Sequence, residues 1–195
     1  MNKQMKANKT VIFCILFFMG IATYAQQSEQ SSQSYFKKGS LSLRTNTVPW
    51  LMLMPNLGFE YKASDNIGLI VDGAFAHWSL KSTNKYWHLW NVAPQVRYYS
   101  GEAKYNYLGL QYTMGDYNLT GTQGSYMGGA LTLGHQFNCG HNLLVDVGLS
   151  LGYLYLYDTE EYTRKNGMNV RTKEKYSHGY WGPTSASITF VWKIN

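Results

Sequence analysis

The chain has 195 residues, 17 Lys+Arg against 11 Asp+Glu for a net charge of +6, and only two cysteines. Charged residues reach 14% and aromatics 16%, with 17 Tyr and 19 Gly; a soluble domain carries roughly 25% charged residues, so this balance argues against an ordinary water-facing surface. A stretch near 18 apolar residues is also missing after the first 25 positions, which excludes helical membrane spans.

Residues 1–25 read as a secretory signal peptide. Lys3, Lys6 and Lys9 precede the apolar run 11–21, and Thr23-Tyr24-Ala25 places small residues for cleavage after Ala25. The run is short for a membrane anchor. Removing the leader takes Lys+Arg from 17 to 14 against 11 Asp+Glu, a net of +3. A nucleic-acid partner loses its support with those lysines. Cys14 leaves with the leader, so Cys139 stands alone and no internal disulfide framework is possible. Segment 26–39, rich in Ser and Gln, is expected to be flexible. Residues 40–195 then form one domain.

From Ser40 onward the pattern has a period of two. Eight strands are expected, over 40–48, 56–63, 67–79, 88–100, 105–116, 126–138, 142–157 and 180–194. The seventh is clearest: Leu143, Val145, Val147, Leu149, Leu151, Tyr153, Tyr155 and Tyr157 share one face, and Asp146, Gly148, Ser150 and Gly152 lie on the other. Tight turns are expected at 64–66, 101–104 and 139–141, and longer loops at 80–87, 117–125 and 158–179. Short and long links alternate, as in outer-membrane barrels. The apolar link 49–55 breaks that pattern: either the first two strands extend into it or it packs over the mouth.

The fold class that follows is all-β, an eight-stranded antiparallel up-and-down transmembrane β-barrel of the outer-membrane type. A soluble barrel would place Lys and Glu outside, but the polar face here is mostly Gly, Ser, Ala, Asn and Gln. Eight strands enclose room for modest side chains only. Aromatics also gather at two levels, Trp78, Trp90, Tyr112, Tyr155 and Tyr157 at one rim and Tyr61, Tyr98, Tyr105 and Trp192 at the other. The apolar face therefore points outward. On that parity Arg44, Glu60, Asp72, Arg97 and Asp146 face inward as a lumenal charge network, with Asn91 and Gln95. Unpaired buried charge is costly, so mutual pairing and a plugged interior are expected.

Other chemistry is weaker. Cys139-Gly140-His141 offers two metal ligands where a structural zinc site needs four. His77, His88, His135 and His178 show no ligand spacing. A lipid A-modifying hydrolase or acyltransferase would need a histidine beside a serine or carboxylate at the outer rim; His77 or His88 near Ser79 or Ser82 is the arrangement available. Gly121-Thr122-Gln123-Gly124 lacks the Lys-Ser/Thr of a phosphate loop and reads as a flexible loop. Between Asp158 and Gly179, acidic Asp158, Glu160 and Glu161 precede basic Arg164, Lys165, Arg171, Lys173 and Lys175. That segment is the candidate surface for a fimbrial protein, a polysaccharide or lipopolysaccharide phosphate.

Several short motifs together resemble one family. They are Arg44-Thr45-Asn46, Pro55-Asn56-Leu57-Gly58 with Glu60, the Trp87–Trp90 region, Pro94-Gln95-Val96-Arg97-Tyr98-Tyr99, Gly152-Tyr153 and Trp181-Gly182-Pro183-Thr184. The chain is similar to the Bacteroidota domain-of-unknown-function family 3575. The resemblance implies an exported outer-membrane barrel and carries no established activity. Many such barrels end on an aromatic residue, whereas this chain ends Lys193-Ile194-Asn195, with Phe190 and Trp192 just before. The functional expectation is a monomeric outer-membrane protein with a structural or surface-interaction role, in contact with lipid and lipopolysaccharide and without a cofactor. The alternatives are the lipid-modifying enzyme and a soluble periplasmic ligand-binding barrel.

Overall fold

A computed structural model describes residues 36–80, 85–140, 142–165 and 168–195. The expected signal peptide over residues 1–25, most of segment 26–39, Ser82 and His141 lie outside the described residues. Eight strands run in order: β1 (Leu41–Asn46), β2 (Asn56–Lys62), β3 (Ile67–Leu80), β4 (Lys85–Ser100), β5 (Asn106–Leu119), β6 (Thr122–Asn138), β7 (Leu143–Lys165) and β8 (Met168–Lys193). Each pairs antiparallel with the next, and β8 returns to β1 through the register Ser42↔Lys193 to Asn46↔Thr189, so the hydrogen-bonded sheet closes on itself. Closure leaves every strand two neighbours along its paired length and removes the exposed edge of an open sheet.

Local chemistry sets the links. At one end Ser64 Oγ accepts from the Ile67 amide at 3.0 Å and Asn138 Oδ1 from the Gly140 amide at 3.0 Å, which holds two of the short turns. At the other end the expected loop 117–125 is a two-residue turn: Leu119 pairs with Thr122, and Thr120 and Gly121 both take positive φ, at 36° and 111°. The Gly-rich run is thus a hairpin entering β6, not a flexible loop. The link expected at 80–87 is also shorter, because β3 reaches Leu80 and β4 resumes at Lys85.

The largest departure concerns residues 158–179. Instead of a loop, β7 and β8 continue as a ribbon until Lys165 pairs with Met168. Charge that looked like loop chemistry supplies cross-strand ion pairs, which stabilise a hairpin where apolar alternation is absent.

The link 49–55 extends neither strand. It starts with a short helix α1 (Thr47–Leu51), whose N-cap Asn46 accepts from the Val48 amide at 3.1 Å. The Asn56 side chain ties its two ends together, accepting from the Asn46 amide and donating to the Asn46 carbonyl, both at 2.7 Å. Thr47 Oγ1 donates to the Ile188 carbonyl at 2.9 Å and so fixes the link to β8.

Inside and outside are inverted relative to a soluble domain. The largest fully buried side chains include Arg44, Lys62, Glu60 and Asp146, while Leu110 is 67% exposed and Val71, Phe75, Tyr98, Leu108 and Leu131 are exposed with it. At the short-turn end Phe36 packs on Leu144, Val191 and Tyr105 as a small apolar floor. Phe36 therefore leaves the flexible segment expected over 26–39 before that segment ends. Two rim aromatics also change face. Tyr105 turns inward onto this floor, and Trp78 shares parity with buried Ile70 and donates to the Leu53 carbonyl of the link. Tyr61, Tyr98, Trp192, Tyr112 and Tyr155 are exposed on the outer side.

Candidate functional site

Above the apolar floor the strands bring together all five charged residues that the period of two had placed on the inner face. Arg44 of β1 donates through Nη1 to Glu60 of β2 at 2.7 Å and lies 3.6 Å from Asp146 of β7. Arg97 of β4 reaches across the interior to Asp146. Asp72 of β3 stands 3.4 Å from Arg44 Nε, with 42% of its side chain exposed, whereas the other four are almost wholly buried.

Lys62 joins them, with Nζ 3.1 Å from Glu60. Three cations (Arg44, Lys62, Arg97) thus meet three carboxylates (Glu60, Asp72, Asp146), and the interior cluster is neutral. Two arginines among three carboxylates neutralise one another only approximately, and Lys62 completes the balance. Lys62 is two residues from Glu60, so the period of two already assigned it inward.

Polar neighbours complete the cluster. Tyr99 and Tyr107 donate their hydroxyls to Glu60 and Asp146, the latter at 2.7 Å. Gln136 Nε2 donates to Asp146 at 3.2 Å, and Arg97 Nε donates to Gln95 Oε1 at 2.7 Å. The Arg97 guanidinium also lies 3.8 Å from the centre of the Tyr107 ring. Asp146 is therefore a hub contacted from β1, β4, β5 and β6. Such a densely bonded network rigidifies what it crosses.

Glycine makes room for it. A Cβ on Gly134 or Gly148 would run into the Tyr107 hydroxyl, so the smallest residue lets that tyrosine reach Asp146. This is a physical reason for the Gly-rich inner face.

Over the cluster lies a cavity of about 310 Å³. Asn91, Gln95, Gln111, Thr113, Thr132 and Ser150 form much of its middle, and Val48, Met52 and Met54 of the link line its upper part. The interior is thus filled at the short-turn end and hollow towards the link.

The β7–β8 ribbon forms a second polar centre beyond the ring. Glu160, 3% exposed, receives Arg171, the Tyr162 hydroxyl and Gln123 Nε2, the last at 2.8 Å. Hydrogen bonding from Tyr162, then from Gln123, with Arg171 adding Coulomb attraction, holds its carboxyl below the usual carboxylate range. Glu161 is held down chiefly by the Tyr176 hydroxyl, with Lys173 3.3 Å away.

His77 and His88 stand opposite each other across β3 and β4, their rings edge to face at 5.1 Å. Ser79 pairs with Tyr86 in the same ladder and Ser82 is outside the described residues. Cys139 is an exposed free thiol, and among the described residues no group of three or more metal-ligating side chains is present.

The family model described as a protein of unknown function (DUF3575) matches residues 11–194, almost the whole chain, and the chain belongs to that family. No curated protein matches it.

Proposed function

We propose that this DUF3575 chain is an exported β-barrel of the outer membrane, spanning the bilayer with its eight strands and serving a structural or surface-interaction role. One observation carries the reading. Charged side chains fill the ring while Leu, Val, Phe and Tyr lie half-exposed or more on its outer face. Water is the wrong solvent for that surface, because contiguous apolar patches beyond a few hundred Å² are rare on soluble monomers. Hydrocarbon suits it, and a closed sheet satisfies the requirement that every backbone polar group in lipid be paired internally.

Two further features support the membrane reading. Tyr61, Tyr98 and Trp192 cluster at the short-turn end of the outer face, as interfacial aromatics do. β1 and β2 have only 6 and 7 residues, short of the roughly 9–11 that a spanning strand needs. Next to them the link exposes Trp50, Leu51, Met52 and Leu53, which continue the apolar belt where those strands stop. The ion-paired cluster blocks the interior, so the barrel holds position in the membrane and is not a channel. The ribbon between Asp158 and Gly179 is its surface-binding element, presenting charge and aromatic rings on a stiff hairpin instead of a mobile loop.

The test is fractionation of cells expressing the full chain, followed by electrophoresis of boiled and unboiled samples. Recovery in the detergent-soluble outer-membrane fraction, with a mobility change on boiling, is expected. A processed chain that stays in the aqueous periplasmic fraction without detergent refutes the proposal.

A further inference from the structure

We propose that the interior cavity is a binding site for a small neutral polyol of monosaccharide size, held by Arg44 and Asp72. The site lies inside the ring, so the inference stands apart from what touches the outer face.

The argument starts from an unpartnered donor. Arg44 is 2% exposed, and although its Nη1 is used by Glu60, its Nε has no hydrogen-bond partner. A buried donor of this kind is uncommon and asks for an explanation. Asp72 Oδ1 stands 3.4 Å away, within ion-pair reach but not hydrogen-bonded. Both residues line the cavity, and Asp72 is the one carboxylate of the cluster that is open to it. A donor and an acceptor side by side are satisfied together by a group that accepts from one and donates to the other. A hydroxyl does both; a carboxylate, a phosphate or an ammonium does not.

The rest of the lining agrees. Thr184 Oγ1 is a second buried polar atom without a partner in a residue that lines the cavity. Several amides and hydroxyls are joined by long bonds, Asn91 to Thr113 at 3.3 Å, Gln95 to Gln111 at 3.5 Å and Ser150 to Gln111 at 3.3 Å. These sit at the weak end of hydrogen-bond geometry, so exchanging them for bonds to a ligand loses little. Charge favours the same class. Three cations already balance three carboxylates beneath the cavity, and an ionised ligand would arrive without a counter-charge. The volume of about 310 Å³ lies at the small end of ligand pockets, roughly 300–1,000 Å³, and suits one sugar ring rather than a chain.

The experiment uses the full chain folded in detergent micelles, with saturation-transfer NMR and a thermal-shift titration. The probes are D-glucose, D-galactose, N-acetylglucosamine and glycerol, with glutamate and glucose 6-phosphate as charged comparators. Saturable binding of at least one neutral probe is expected, with a dissociation constant below about 10 mM. Asp72→Asn, which keeps shape but weakens the acceptor, should loosen that probe about tenfold. Ala74→Leu, which fills the cavity from its wall, should abolish binding while the boiled and unboiled forms still migrate differently. The proposal is overturned by lack of saturation for every neutral probe up to about 100 mM, by binding of the charged comparators as tightly as the neutral ones, or by a folded Ala74→Leu variant that binds unchanged.

Discussion

Replacing Arg97 with Ala removes the central cation of the interior and should destabilise the protein by about 3–4 kcal/mol. Deleting one partner of a buried ion pair usually costs about 3–5 kcal/mol, because the other charge is left without compensation. Here the stranded charge is Asp146, fully buried. Three contacts to it survive, from Tyr107 at 2.7 Å, Gln136 at 3.2 Å and Arg44 at 3.6 Å, and they hold the loss towards the lower end. Loss of the Gln95 bond and of the guanidinium over the Tyr107 ring acts in the opposite direction. The assay is equilibrium urea unfolding of the refolded protein at pH 7, read by tryptophan fluorescence and by migration of unboiled samples.

A companion variant separates charge from packing. Arg97→Met with Asp146→Asn removes both charges and keeps most of the volume, and it should recover at least about 2 kcal/mol relative to Arg97→Met alone. Salt is a second discriminator. Buried pairs are screened far less than exposed ones, so the loss should be the same at low and high ionic strength. An Arg97→Ala protein within about 0.5 kcal/mol of the parent, the range of an inert surface change, would refute the claim that this network holds the interior together.

Three other outcomes follow from the same structure. Gly148→Ala puts a methyl group against the Tyr107 hydroxyl and Ser187, so a loss of about 1–3 kcal/mol is expected in urea melts; adding Tyr107→Phe should restore part of it, and strict additivity would sink the explanation. Leu110→Arg alters a strand leucine that is 67% exposed; facing lipid it should cost about 2–4 kcal/mol in bilayer refolding, and a change under about 0.5 kcal/mol would mean that the position meets water. For the ribbon, Glu160 has a folded pKa below its ordinary value of 4.5, so its contribution is present above that value and disappears as the pH falls through the lower folded one. Hydrogen-exchange protection of the ribbon, corrected for intrinsic rates, should therefore fall on acidification and rise again on return to neutral pH, whereas protection that ignores pH would contradict the assigned contacts.

How far the sequence could be read depended on whether a strand carried apolar alternation. Where it did, as from Leu143 to Tyr157, strand, facing and partners followed directly, and Asp146 was placed inward by parity alone. Where it did not, the expectation failed. Thr159 to Lys175 has no apolar stripe, and its strand pairing rests on Glu160 with Arg171 and Glu161 with Lys173, contacts that exist only once the hairpin register is known. The helix at Thr47–Leu51 is too short for a 3.6-residue pattern to show, and its signal was one capping residue, Asn46. Lys62, Tyr99 and Tyr107 were accessible to the rule that found Arg97, because each lies an even number of residues from an inward neighbour in its strand. Trp78 and Tyr105 obey the same parity; grouping them with the rim by residue type alone put them on the wrong face.

These placements share one cause. A ring of eight strands is too narrow for a conventional core of Leu and Phe, and among the described residues the nine buried apolar ones include three alanines. The interior must then be built from small residues and from polar groups that satisfy one another, which explains why glycines flank Tyr107 and why three cations meet three carboxylates. Such an interior contributes little hydrophobic free energy, since burying a charge pair recovers at best what desolvation costs. The driving force has to come from the opposite face. There Leu110, Leu108, Tyr98 and Phe75 remain exposed in the isolated chain, and burial of that apolar area, at roughly 25 cal/mol per Å², becomes available only against an apolar surrounding. The inward charge network and the outward apolar belt are therefore two consequences of the same narrow ring: the first fixes its shape, and the second yields its free energy only against the apolar surroundings that the proposed bilayer location would supply.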